Sequence, residues 1–109
     1  MQESEIEKYL VEQVKGIGGR AYKFVSPGNN GVPDRLVVLP GAVIIFVELK
    51  ALHGKLTPLQ VGQITRLKGF GCSVLVIKSK PEVDDFIAFC KLQMARAVKL
   101  QAIQLSMQI

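Results

Sequence analysis

The chain has 109 residues, of which 49% are hydrophobic and 21% charged, a balance that excludes a disordered polymer and suits one globular domain. Its net charge of +5 and pI near 9.4 suit a polyanionic partner without demanding one. Two cysteines in apolar surroundings, Cys72 and Cys90, predict buried thiols rather than a disulfide scaffold. No apolar run is long enough to span a bilayer and the N-terminus lacks a signal-peptide pattern, so the expectation is a soluble, cytoplasmic protein.

Apolar residues at Ile6, Leu10, Val14 and Ile17 recur at helical spacing and predict a helix from Glu3 to about Lys15, stopped by Gly16, Gly18 and Gly19. Its first turn is acidic, which complements the helix macrodipole. Glu3 and Glu7, four residues apart, also leave open a second role for one of them as an acid at a nearby site. Arg20 to Ser26 reads as a strand, at a sheet edge or beside a hairpin, and Pro27-Gly28-Asn29-Asn30-Gly31 as a turn-rich loop.

The run Val32-Pro33-Asp34, then Leu36 to Leu39, a Pro40-Gly41 break and Val43 to Val47 ending in Glu48-Leu49-Lys50, predicts a β-hairpin. A turn at Pro40-Gly41-Ala42 sets Leu39 against Val43 and hence Asp34 across from Glu48. Cross-strand partners share a face with Cβ atoms roughly 4.5–5.5 Å apart. Lys50 joins that face because side chains alternate with period two. A slip of one residue sends Glu48 to the other side. Two carboxylates so close repel, and one pKa rises unless a cation lies between them. Mg²⁺ or Mn²⁺ fits such oxygen ligands, with the Leu49 carbonyl as a further one. Lys50 is then placed to orient a water or hold developing negative charge. The plain alternative is an ordinary ion pair of Glu48 with Lys50, worth roughly 0–1 kcal/mol if exposed.

The loop Ala51 to Leu56 holds the single histidine, His53, read as solvated. Thr57-Pro58-Leu59-Gln60 opens a second helix with Thr57 as N-cap and Gln60 completing a capping box. Its apolar face is expected at Val61, Ile64, Leu67 and Phe70. Cys72 to Ile77 reads as a buried strand, brought parallel to the second hairpin strand by a right-handed crossover. From Pro81 a long helix runs to the end, with Val83, Ile87, Cys90, Met94, Val98, Ala102, Leu105 and Ile109 on one stripe. The later part of that stripe needs a cover, and a homodimer contact is the economical one.

Gly31-Val32-Pro33-Asp34, Glu48-Leu49-Lys50 and Leu56-Thr57-Pro58-Leu59-Gln60 together resemble the VRR-NUC domain of the PD-(D/E)XK nuclease superfamily, in its stand-alone phage type. The likeness spans roughly Met1 to Val83. It implies an α/β fold with an α-β-β-β-α-β core, a mixed sheet flanked by helices and, here, a long C-terminal helix. The whole chain would be one domain, with the core at about 1–90 and the helix extension at about 91–109. By the resemblance Asp34, Glu48 and the Leu49 backbone hold Mg²⁺ or Mn²⁺, together with Glu3 or Glu7. Lys50 and Gln60 assist the reaction. Ala51-Leu52-His53-Gly54 departs from the usual proline- or glycine-rich loop, which bears on DNA contact and not on the metal ligands.

The function implied is a metal-dependent endonuclease of branched DNA such as Holliday junctions, working as a homodimer in the host cytoplasm if phage-encoded. The alternatives are a non-cleaving nucleic-acid-binding module on the same fold and a nuclease of unbranched DNA. Phosphate contacts are expected from Arg20, Lys23, Asn30, Arg35, Lys55, Arg66, Lys78 and Lys80.

Overall fold

The computed structural model describes residues 2–107. In chain order it contains α1 (Glu3–Gly16), β1 (Arg20–Lys23), β2 (Arg35–Leu39), β3 (Val43–Leu49), α2 (Pro58–Gly69), β4 (Val74–Ile77) and α3 (Lys80–Met107). The four strands form one sheet in the order β1-β2-β3-β4. β1, β2 and β3 are antiparallel neighbours, and β4 lies parallel to β3 after the α2 crossover. This is the α-β-β-β-α-β order expected, with a mixed sheet and a long final helix.

The alternation of the strands sorts the side chains. Odd-numbered positions Ala21, Val37, Leu39, Ile45, Val47, Leu49 and Ile77 are buried together. Against them pack Ile6, Leu10 and Val14 of α1 and Val83, Phe86, Ile87 and Cys90 of α3. These helical residues recur every three or four positions, so each helix offers one apolar stripe. Full burial of such side chains stabilises by roughly 1.5–3 kcal/mol each. Tyr9 Oη donates to Asp84 Oδ1 at 2.6 Å, tying α1 to α3 at the rim. Both cysteines are free, and burial pushes the Cys90 thiol up to about 11.

Several boundaries differ from the sequence expectation. β1 ends at Lys23 instead of Ser26, although the Phe24 N–H still donates to the Asp34 carbonyl at 2.9 Å. β3 runs from Val43 to Leu49 as expected, because β4 supplies partners as far as Leu49↔Ile77. In α2 only Ile64 is buried, while Val61 and Phe70, expected on the inner face, are exposed. The helix meets the sheet chiefly through β4, so a narrow stripe suffices. In α3 the expected stripe holds through Cys90 and Met94, whereas Ala102 and Leu105 are exposed. The Val98 side chain and Ile109 lie outside the described residues.

The hairpin turn explains how far α3 stays against the core. Gly41 has φ +85°, and a Cβ there would sit 2.6 Å from the Ala97 Cβ. Only glycine meets both the left-handed backbone and the close approach of the helix. The turn thus meets α3 at Ala97.

Candidate active site

The hairpin pairs Leu39 with Val43 and Arg35 with Val47. Continued one step, this register sets Asp34 across from Glu48, and one step further it sets Pro33 across from Leu49. Pro33 is fully buried and has no N–H, so it cannot send the usual ladder bond to the Leu49 carbonyl. The Leu49 N–H donates to Asp34 Oδ2 at 2.9 Å, which fixes the Asp34 carboxylate at the mouth of the hairpin. The sequence pattern does not single out Pro33, though its missing donor is readable there once the register is known.

Glu48 is only 1% exposed, and its Oε2 is buried without a hydrogen-bond partner among the described residues. Burial pushes its pKa up to about 8. Asp34 raises it further, as a hydrogen-bond partner of the protonated form and as a like charge. Lys50 pulls it down, and Glu3 pushes it up. The fields of Asp34, Lys50 and Glu3 therefore all reach the same carboxyl. Lys50 is half-buried, its N–H donates to the Ile77 carbonyl at 3.0 Å, and Gly54 turns back toward its stem.

Other expected site residues are engaged elsewhere. Glu7 Oε2 accepts from Arg35 Nε at 2.8 Å, and Arg35 Nη1 also donates to the Ala21 carbonyl. The pair bolts α1 to the sheet, and it engages two side chains expected at the metal and at phosphates. Nothing in the periodicity announces a pair 28 residues apart. Gln60 Oε1 accepts from the Thr57 N–H and the Thr57 hydroxyl accepts from the Gln60 N–H, so the capping box exists as expected. The Gln60 side-chain oxygen is consequently occupied by the helix cap, and its amide nitrogen is the end the cap does not use. The loop before Asp34 is held against α2: Gln63 Nε2 donates to the Asn30 carbonyl at 3.3 Å. Gly31, at φ +89°, has Leu59 backbone where a Cβ would sit, at 2.6 Å. Arg20, Lys23, Asn30, Lys55 and Arg66 are exposed, as is His53. Lys80 lies over the Tyr9 ring, 5.4 Å from its centroid.

Among the described residues, no three carboxylate, histidine or thiol groups gather closely enough to enclose a metal by themselves. The donors at the hairpin mouth nevertheless fit a hard divalent cation. An unpartnered buried carboxylate oxygen, a second carboxylate beside it and a carbonyl lacking its ladder donor are all oxygen ligands. Mg²⁺ typically takes one or two carboxylates and completes its shell with water and phosphate oxygens.

A four-stranded mixed sheet entered by a helix and crossed by a second, with paired acids at the open end of its hairpin, defines the nuclease fold of the α-β-β-β-α-β type. No protein-family model matches the chain. It is 55% identical over 80 residues to a protein named "Putative nuclease p44" of Acyrthosiphon pisum secondary endosymbiont phage 1, covering 73% of this chain and 86% of that one. A solved structure described as a VRR_NUC domain superposes with a TM-score of 0.74 at 37% identity, covering 79% of this chain and 94% of the other. The chain belongs to the VRR-NUC family.

Proposed function

We propose that this chain is a Mg²⁺- or Mn²⁺-dependent endonuclease that hydrolyses DNA phosphodiesters, branched DNA in particular. The observation that carries the reading is Glu48. It is a buried carboxyl with an unpartnered oxygen beside a second carboxylate, an arrangement that costs stability and makes chemical sense as half of a cation site.

In this reading Asp34, Glu48 and the Leu49 carbonyl hold the ion, with Glu3 as the first-helix acid that faces it. When bound there, a divalent cation supplies a water of lowered pKa and charge stabilisation at a phosphoryl oxygen. The Lys50 ammonium orients the attacking water or holds the charge that develops on the phosphate. Gln60 keeps the start of α2 in place beneath the loop that leads to Asp34, and its free amide nitrogen is available to a water or phosphate. Arg20, Lys23, Asn30, Lys55 and Arg66 meet phosphates, which positions the strand and reads no sequence.

Branch specificity follows from having two sites in one particle. Leu92, Leu100, Ile103 and Met107 are exposed along α3 and suit contact with a second copy. A symmetric dimer then offers a site to each of two strands at a junction.

The test is a labelled four-way junction and a linear duplex of the same sequence, each with Mg²⁺, Mn²⁺ or EDTA. Cleavage that needs the ion, favours the junction and disappears in Asp34→Asn and Glu48→Gln is expected. Both variants should still bind DNA in Ca²⁺. Undiminished cutting by the two variants rules out the site, and equal rates on the two substrates rule out the junction preference.

A further inference from the structure

The sheet has two unequal faces. α1 and α3 share the odd-numbered face, where the core lies. The even-numbered face is crossed by α2 chiefly at β4. The strands β1 and β2 and the first half of β3 therefore have no helix packed substantially on that side among the described residues. The register sets out what they present in rows. The row at the mouth contains Phe24, Asp34 and Glu48. The next contains Tyr22, Leu36 and Phe46, and the third Arg20, Val38 and Ile44. Rows of a strand face are roughly 7 Å apart.

Tyr22 is 50% exposed and Ile44 52%. The Arg20 guanidinium lies over the Tyr22 ring, 5.8 Å from its centroid. Phe24 and Phe46 stack tilted with centroids 5.4 Å apart, beside the acids. Arg20 is the one charged side chain of the second and third rows, and those rows hold no carboxylate. A polyanion with flat apolar bases meets both the cation and the rings.

We propose that this uncovered face is a stacking platform for unpaired DNA bases of a strand engaged at Asp34 and Glu48. The inference rests on the nuclease reading. A base leaving the mouth first meets Phe24, and the next meets Tyr22, where it takes the place of the Arg20 guanidinium on the ring. Arg20 then turns to the adjoining phosphate. Sequence preference is not needed, because every base has a π-face. The platform favours substrates whose strands come apart next to the cut.

The chain has two tyrosines, Tyr9 and Tyr22, and no tryptophan, so a Tyr9→Phe chain reports on Tyr22 alone. It is titrated in Ca²⁺ with a twelve-nucleotide oligothymidylate and, separately, with a blunt duplex. Quenching of Tyr22 emission by the single strand and not by the duplex is expected. Tyr22→Ala and Ile44→Ser should each weaken single-strand binding by about tenfold while duplex binding stays within twofold. Thermal melting checks that both variants fold. Unquenched emission at saturation, equal losses on both probes, or absence of single-strand binding would overturn the platform. So would loss of a dimer in Tyr22→Ala with oligonucleotide affinity unchanged. The titration reads no cleavage, so failure of the platform is distinguishable from failure of the nuclease reading, which the Asp34→Asn and Glu48→Gln assays decide.

Discussion

At the scale of single residues, Glu48 sets the behaviour of the site. Its folded pKa is about 8, raised first by burial and then by Asp34, against about 4.5 for a free glutamate. The folded protein thus keeps a proton that the unfolded chain gives up near pH 4.5. Between these values the native state binds more protons, so metal-free stability falls as pH rises and levels off above about 8. The steepest slope from one such group is about 1.4 kcal/mol per pH unit. Glu48→Gln should flatten this slope and be more stable than the parent at pH 8, measured by urea unfolding in EDTA. Mg²⁺ should then stabilise the parent at pH 8 and leave the variant unmoved. A parent whose stability is flat from pH 5 to 8 would contradict the burial argument. Asp34 facing Glu48 was legible from the sequence because a hairpin with a fixed turn leaves one register that keeps Val37, Ile45 and Val47 inside. The near-complete burial of Glu48 was not legible. It depends on β4 pairing with the strand end and on α1 approaching it, and these arrive from distant parts of the chain.

At the scale of elements, the joints between helices and sheet were the part that pattern reading could not reach. Periodicity gave α1, the hairpin, the capped start of α2 and the crossover to β4, since each depends on neighbours in sequence. It did not give the Glu7–Arg35 pair, which looked like a spare acid and a spare phosphate contact. Nor did it give the thin packing of α2, where Val61 and Phe70 follow helical spacing but face outward. The Glu7–Arg35 joint is half-buried and charge-assisted, and Arg35 binds the Ala21 carbonyl as well. Arg35→Ala should therefore lower unfolding stability by roughly 1–3 kcal/mol. DNA affinity in Ca²⁺ should stay within twofold, because this arginine is spent on α1. A tenfold loss of DNA binding with unchanged stability would return Arg35 to the phosphate contacts. A second joint is the approach of Gly31 to the Leu59 backbone. Gly31→Ala combines a clash at 2.6 Å with a left-handed φ, and it should move the loop that feeds Asp34. Cleavage of any DNA should drop by at least about tenfold, and the melting temperature should fall by several degrees. Normal cleavage by a folded Gly31→Ala would separate the loop from the chemistry.

At the scale of the whole molecule, the shape is governed by α3. Its 28 residues reach roughly 40 Å, and the molecule measures 51 × 28 × 19 Å. The helix belongs to the core as far as Ala97, where the hairpin turn meets it. Beyond Lys99 the sequence has no charged residue, and Leu100, Ile103, Leu105 and Met107 are exposed. A helix end of this composition has no solvation reason to stand in water, and no neighbour among the described residues covers it. Truncation after Lys99 tests the cover without cutting the contact at Ala97, whereas truncation near Lys91 would remove Met94 from the core as well. The full chain should sediment as a dimer and the truncated chain as a monomer, with melting temperatures within a few degrees of each other. If the dimer is what lets two sites meet one junction, the truncated chain should lose paired incisions and keep single cuts, read on a plasmid-borne junction as nicked rather than linear product. A monomeric full-length chain, or a truncated chain that still dimerises, would move the interface away from α3.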